Sequence, residues 1–493
     1  MGDCFITRRG GGKSSGLYVW KKYELAPTYL SFIGNEDFTL KTANTTKNWD
    51  GTLEYSTDTS TWNTWNGTEI SSSGSKLYLR GTGNTKITGD SFDYMFVFTG
   101  TNALKIACEG NIENLLDYET VSDDGHPTMA NYCYAYMFDG CSSLTAAPAL
   151  PATTLVYGCY KDMFRACTSL TIAPELPATT LGNYCYNNMF YGCTSLTTAP
   201  ELPATTLAYS CYSDMFYGCT SLTTAPELPA TTLTAECYSG MFSGCTSLTT
   251  APELPATTLT GFCYSGMFHG CTALTAAPEL PATKLADACY QNMFDGCKSL
   301  TTAPALPATT LANYCYINMF NRCTSLITAP ALPATTLANY CYNNMFYGCT
   351  SLTTAPELPA TTLANNCYQN MFNRCMSLAT PPSVLPATRL ATDCYRFMFE
   401  FTAINAIPRI MATTYTTDSC KGMFDDIKTL NVYSTSGTGH TYGWTAPSSA
   451  SSYCSGMFGS DDGESEWAKL DGSNFPNSGT PTDGTTYYFK TVS

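Results

Sequence analysis

The chain has 493 residues, more than one ordinary core holds, so a tandem array or several domains is expected. Charged residues are only 13% of the total, yet 44% hydrophobic content leaves ample surface to bury, which argues against disorder. The net charge of −15 argues against a nucleic-acid or anionic-membrane partner, since either needs a basic patch.

Residues 1–27 read as an arm. They contain no apolar stretch of the kind that drives a secretory signal peptide, which predicts a chain made in the cytoplasm. No run along the sequence approaches the roughly eighteen apolar residues of a membrane span, so membrane insertion is not expected. Gly10-Gly11-Gly12-Lys13-Ser14 lacks the spacing of a phosphate-binding loop. The run Phe5-Ile6-Thr7-Arg8-Arg9-Gly10-Gly11-Gly12, followed by Gly16-Leu17-Tyr18-Val19-Trp20-Lys21-Lys22-Tyr23, resembles the N-terminal segments of phage and prophage tail-associated proteins. The resemblance covers little more than these residues. It implies a virion-anchoring arm that meets other virion proteins, with Phe5, Ile6, Arg8, Arg9, Tyr18 and Trp20 as candidate anchor residues.

Residues 28–100 form β-rich runs, such as Tyr29-Leu30-Ser31-Phe32-Ile33, Leu53-Glu54-Tyr55-Ser56 and Lys76-Leu77-Tyr78-Leu79-Arg80. Gly, Asn, Asp and Thr clusters separate them, which predicts a small β-sandwich-like domain. Tyr94-Met95-Phe96 and Leu104-Lys105-Ile106-Ala107-Cys108 read as a degenerate first coil of the downstream array. No Pro/Ser-rich linker intervenes.

Residues 101–458 carry a repeat. A Met-Phe pair recurs at Met137, Met163, Met189, Met215, Met241, Met267, Met293, Met319, Met345 and Met371, each 26 residues after the last. Drifted copies occur at Met398, Met423 and Met457, spaced 27, 25 and 34. The unit reads Leu-Pro-Ala-Thr-Thr-Leu-x-x-x-Cys-Tyr-x-x-Met-Phe-x-Gly-Cys-Thr-Ser-Leu-Thr-Thr-Ala-Pro-Glu. Leu196-Thr197-Thr198-Ala199 predicts a short strand ended by Pro200, and Pro200 with Pro203 excludes a helix between them. Leu207, Cys211, Tyr212, Met215, Phe216 and Cys219 fall at i, i+4, i+8 spacing, which predicts one or two helical turns. Gly218 sits where a left-handed residue would end them. One coil cannot bury its own Leu, Met, Phe and Cys, so a β-rich repeat solenoid with columns of like residues is expected. Neighbouring coils would stand about 4.8 Å apart. Residues 459–493 read as a closing cap.

Met189-Phe190-Tyr191-Gly192-Cys193-Thr194-Ser195-Leu196-Thr197-Thr198-Ala199-Pro200 resembles the unit of BspA-like leucine-rich repeats. The chain departs from that pattern in its Met-Phe, in a second Cys before Tyr, and in a longer unit. The resemblance implies leucine-rich-repeat-like coils and a role in cell-surface adhesion.

Twenty of the 25 cysteines form C-x7-C pairs from Cys133/Cys141 to Cys367/Cys375, a spacing foreign to zinc sites. Buried, reduced thiol columns are the favoured reading, with disulfides as the alternative. Glu175, Glu201, Glu227, Glu253, Glu279 and Glu357 recur at one repeat position. They read as solvated side chains or as a calcium column, which Ala149, Ala305 and Ala331 interrupt. Otherwise no metal or cofactor is expected. His126, His269 and His440 stand in unrelated contexts with no carboxylate or Cys motif, and no hydrolase motif is present, so an enzyme is not expected.

Positions beside Cys-Tyr and after Met-Phe vary between copies and should share one face. Tyr184, Asn187, Asn188, Tyr191, Tyr209, Tyr217, Phe262, His269, Tyr314, Tyr340, Asn343, Asn344 and Tyr347 are the candidate binding residues. Tyr with Asn suits protein or glycan recognition, and drift at solvated positions is the alternative. Together these features point to a non-enzymatic phage tail or head fibre, located in the virion and binding a host-surface protein or glycan. The alternatives are a structural virion component without a receptor, or an adhesin at the bacterial cell surface. Fibres are commonly trimeric, but no heptad stretch sets the oligomer state here.

Overall fold

The computed structural model describes residues 29–424 and 427, apart from Asp124 and Tyr415. The candidate anchor residues, His440, Met457 and the cap at 459–493 lie outside the described residues.

The described residues begin with eight strands in two sheets. They are β1 (Leu30–Gly34), β2 (Thr39–Thr42), β3 (Thr52–Ser56), β4 (Asn63–Trp65), β5 (Ile70–Ser71), β6 (Lys76–Thr82), β7 (Phe96–Thr99) and β8 (Ile106–Glu109). One sheet runs β4-β3-β6-β1-β8 and continues into β9 (Leu144–Ala146), while the other runs β5-β2-β7. Aromatic rings fill the space between them: Phe32 of β1 meets Phe98 of β7 at 5.1 Å, and Trp65 of β4 meets Phe96 of β7 at 5.5 Å. Helix α1 (Asn114–Ser122) packs on β6.

The same strands start the stack. The Phe96 N–H donates to the Met137 carbonyl at 2.8 Å, as the Phe138 N–H does to Met163 one coil later. Ile106 pairs with Leu144 in parallel, so it takes the repeat's Leu slot. Phe96 and Ile106 therefore build a coil ahead of the first Met-Phe copy and cover its apolar end. Without that cover, Phe138 and Leu144 would face water.

From Thr154 onward parallel bridges join residues 26 apart, such as Thr198 to Thr224 and Thr206 to Thr232, until the drifted copies, where Thr362 pairs with Arg389 and Arg389 with Thr414. The expected strand at 196–199 is reduced to these single bridges, because Pro200 and Pro203 have no N–H to extend a ladder. Longer pairing returns near the end, where β10 (Val384–Leu385) pairs with β11 (Arg409–Ile410).

The expected helical turns are replaced by a ribbon of tight turns. In an α-helix each N–H reaches the carbonyl four residues back. Here the N–H groups of Asn187, Met189, Tyr191 and Cys193 reach back three residues, to Tyr184, Tyr186, Asn188 and Phe190. The alternate N–H groups, of Tyr184, Tyr186, Asn188, Phe190 and Gly192, cross to Tyr209, Cys211, Ser213, Met215 and Tyr217 of the next coil. Every fourth residue is left-handed: Tyr184 at φ 57°, Asn188 at 54° and Gly192 at 70°. Gly218 is left-handed too, at 69°, as one of this series rather than as a helix end.

This backbone turns residues in pairs. Cys185-Tyr186 and Met189-Phe190 are buried, whereas 187–188 and 191–192 lean outward. Phe rings from Phe138 to Phe424 stack nearly parallel with centroids 5.5–5.8 Å apart, wider than the strand spacing expected for the coils. Tyr134 to Tyr395 form a second such column, buried throughout.

Candidate binding surface

The outward pairs of the ribbon bring most of the candidate residues onto one strip along the stack. Tyr191 and Tyr217 stack at 4.6 Å with planes 1° apart, and Tyr314 and Tyr340 at 5.0 Å. Tyr184 lies between Tyr157 at 5.4 Å and Tyr209 at 5.2 Å. Phe262 and Tyr314 are 44% and 42% exposed, while Tyr340, Tyr347 and Asn344 are half-buried. Hydrogen bonds to Tyr184 and Glu236 raise the Tyr209 phenol above its ordinary value.

Not every candidate is available to a partner. Asn343 is 6% exposed and its amide donates to Gln369 Oε1 of the next coil at 3.1 Å, so it belongs to the interior of the ribbon. Asn187 donates to the Ser213 carbonyl at 3.3 Å. Asn188 and Asn344 occupy left-handed positions, at φ 54° and 53°, that Asn, Asp and Gly tolerate best. Their residue type is accounted for by the backbone alone.

The fold also brings together groups that the sequence keeps apart. Tyr132 and Tyr157 extend the aromatic series ahead of Tyr184, with rings 5.2 Å apart. Desolvation and a hydrogen bond to Tyr157 push the Tyr132 phenol up to about 12. Tyr132 stands directly before Cys133 as Tyr184 does before Cys185, and Tyr157 stands two residues before Cys159 as Tyr209 does before Cys211, so the sequence pattern marks both. His269 Nδ1 stands 3.3 Å from Ser243 Oγ, and its Nε2 is 3.9 Å from Asp295. His126 meets the buried Glu113 carboxylate at 2.8 Å, and burial raises that carboxyl. Both histidines thus have carboxylate neighbours from distant sequence. The Asp295 separation is too long for the hydrogen bond that would orient a catalytic base.

Every described cysteine is a buried free thiol. Burial pushes the Cys193 thiol up to about 12, so it stays protonated and unreactive at neutral pH. Among the described residues no three His, Cys, Asp or Glu side chains gather as a metal ion would require. Glu227 and Glu253 are exposed along a groove of about 330 Å³ lined by Pro226, Pro229, Pro252 and Pro255, away from the Tyr strip.

Residues 157–301 and 241–379 match the family model of the BspA type leucine-rich repeat region. A leucine-rich-repeat region of that type therefore spans these coils. Among solved structures the chain is similar to a leucine-rich repeat protein from Bacteroides ovatus, at 18% identity over 58% of this chain and 91% of that one, with a TM-score of 0.19. It is also similar to a leucine-rich repeat protein from Eubacterium ventriosum, at 11% identity over 64% and 94%, with a TM-score of 0.22. None of the curated proteins compared matches it. No described helix is long and apolar enough to cross a membrane.

Proposed function

We propose that the protein is a non-enzymatic adhesion protein that holds a host-surface protein or glycan on the outward residues of its turn ribbon. One observation carries this reading: the buried pairs repeat almost unchanged from coil to coil while the outward pairs differ. Asn187-Asn188 and Tyr191 in one coil become Ser239-Gly240 and Ser243 two coils on, over the same Cys, Tyr, Met and Phe columns. A rigid core with an independently variable face suits recognition, because the face can change without disturbing the packing. No cofactor is required for such binding.

The N-terminal arm supports a finer reading, in which the array is carried on a phage particle as a tail or head fibre. Finding the chain among the proteins of purified particles tests that part, and its absence rejects it. The adhesive part is tested by saturable binding of the labelled full chain to host cells. Changing Tyr184, Tyr191, Tyr209, Tyr217, Tyr340 and Tyr347 together to Ser should abolish that binding, whereas unchanged binding rejects the face.

A further inference from the structure

One position of the ribbon, directly after Met-Phe, changes character along the stack. It reads Tyr191, Tyr217, Ser243, His269, Asp295, Asn321 and Tyr347, each 26 residues after the last. Between its tyrosines it lines up four polar side chains of unlike chemistry in successive coils. Backbone bonds hold neighbouring members of this column one coil apart. The Gly270 N–H donates to the Asp295 carbonyl at 2.7 Å, and the Gly296 N–H to the Asn321 carbonyl at 2.8 Å.

Ser243 and Asp295 set the state of the imidazole between them. Ser243 is buried, and its Oγ lies 3.3 Å from His269 Nδ1. On the other side His269 Nε2 stands 3.9 Å from Asp295 Oδ2, too far for a hydrogen bond. The proton therefore belongs on Nδ1, where Ser243 accepts it, and Nε2 turns a lone pair toward the carboxylate. The next member extends the pattern. The Asn321 amide donates to Asn318 Oδ1 at 3.4 Å, while its own Oδ1 is buried with no hydrogen-bond partner among the described residues. An imidazole nitrogen, a carboxylate and an amide oxygen thus follow one another as acceptors, and buried acceptors rarely go unpartnered. Arg322 acts on Asp295 only from a distance.

We propose that His269 Nε2, Asp295 and the Asn321 amide oxygen hold one divalent transition-metal ion of the zinc class on the outward side of the ribbon. Two ligands of a zinc ion, each about 2.0–2.2 Å from it, stand roughly 3–4.2 Å apart, a range that contains the 3.9 Å between Nε2 and Oδ2. Ser243 supplies the outer hydrogen bond that keeps the ligating nitrogen of such a histidine aimed. An imidazole among the donors favours zinc, nickel or copper over magnesium or calcium, which prefer oxygen alone. The third donor is an amide oxygen in place of a charged ligand, so binding is weaker than at a structural zinc site. His269 is exposed, which leaves a coordination position open to water or to a partner's oxygen. This goes beyond the adhesive reading and does not depend on it.

The test is titration of the metal-free full chain with zinc against a chromogenic chelator, followed by hydrogen exchange with and without zinc. His269→Ala should take up one zinc ion fewer than wild type. Asp295→Asn, Asn321→Ala and Ser243→Ala should each weaken that ion's binding about ten-fold or more. Magnesium or calcium in excess should not displace it. Zinc should slow exchange at the Gly270 and Gly296 N–H groups, which cross the bridged junctions, and leave the Gly192 N–H unchanged. Because His269 is exposed, an unchanged melting temperature for metal-free His269→Ala separates lost binding from lost folding. The site is overturned if no zinc binds, if His269→Ala and Asp295→Asn bind zinc as wild type does, or if bound zinc leaves exchange at Gly270 and Gly296 unchanged. Displacement of the zinc by calcium or magnesium overturns it as well.

Discussion

The Cys193 thiol donates to the Phe164 carbonyl of the preceding coil at 3.1 Å. The same bond recurs from Cys141 to Phe96 and on to Cys375 with Phe346, at 3.0–3.2 Å. Each such carbonyl from Phe138 to Phe346 also accepts the N–H three residues on, so both its lone pairs are used. The cysteine column is therefore a set of coil-to-coil ties and not only filling. Cys219→Ala should remove one tie and a buried sulfur, lowering local stability by about 1–2 kcal/mol. Native-state hydrogen exchange at the Phe190 N–H, which crosses the same junction to Met215, and at the Cys193 N–H, which shares the Phe190 carbonyl, reads this locally, which suits an array that need not unfold as one unit. Exchange identical to wild type would reduce the thiol to packing volume.

The sulfurs should also be silent in the folded chain. All described cysteines are buried, and burial raises Cys141, Cys193 and Cys245 to about 12. A thiol reagent at pH 8 should label almost none of the array in the native state. All 25 should be labelled after denaturation without reductant. A denatured count near five would show that the C-x7-C pairs are disulfides.

Asp162 gives the stack a pH dependence. Burial raises its carboxyl from 3.8 to about 6, against the lowering effect of Lys161 and Arg165. A raised folded value means that its contribution to stability is complete below about pH 4 and is lost as pH climbs through about 6. Asp162→Asn removes the charge and suits the left-handed backbone there, at φ 53°. It should stabilise the chain at pH 7.5 by up to about 3 kcal/mol, and by much less at pH 4. Melting curves of both chains at the two pH values check this. An equal difference at both would show that Asp162 titrates normally.

The left-handed positions predict opposite effects from small changes. Gly296, at φ 74°, has ordinary space for a Cβ, so Gly296→Ala should cost about 1–2 kcal/mol from backbone strain alone. Arg322 stands at the equivalent position with φ 57° and is exposed, so Arg322→Gly should stabilise by about 1 kcal/mol. Thermal unfolding of the two variants should bracket wild type. Shifts in the same direction would contradict the turn ribbon.

The repeat, the buried columns and the extra coil around Phe96 are all legible in the sequence, because each comes from which residues recur. The ribbon is not, for a definable reason. Cys211-Tyr212, Met215-Phe216 and Cys219 fit a helix over two turns, yet a helix drifts by about 80° across eight residues. A strict period of four, with residues in adjacent pairs, is the mark of successive tight turns. The same ambiguity makes Asn188 and Asn344 look like ligand contacts, when their left-handed backbone already favours Asn. Asn343 is out of reach of sequence reasoning, since its burial depends on Gln369 in the next coil.

The central claim is that partners meet the outward side of the ribbon and not the Pro-Glu side of the coils. Host-cell binding by two variants of the full chain tests it most directly. One carries Ser at Tyr184, Tyr191, Tyr209, Tyr217, Tyr340 and Tyr347, and the other carries Gln at Glu201, Glu227, Glu253 and Glu279. With both folded as wild type by melting temperature, the account predicts loss of binding in the first and full binding in the second. Full binding by the first variant, or its loss only in the second, would contradict the account.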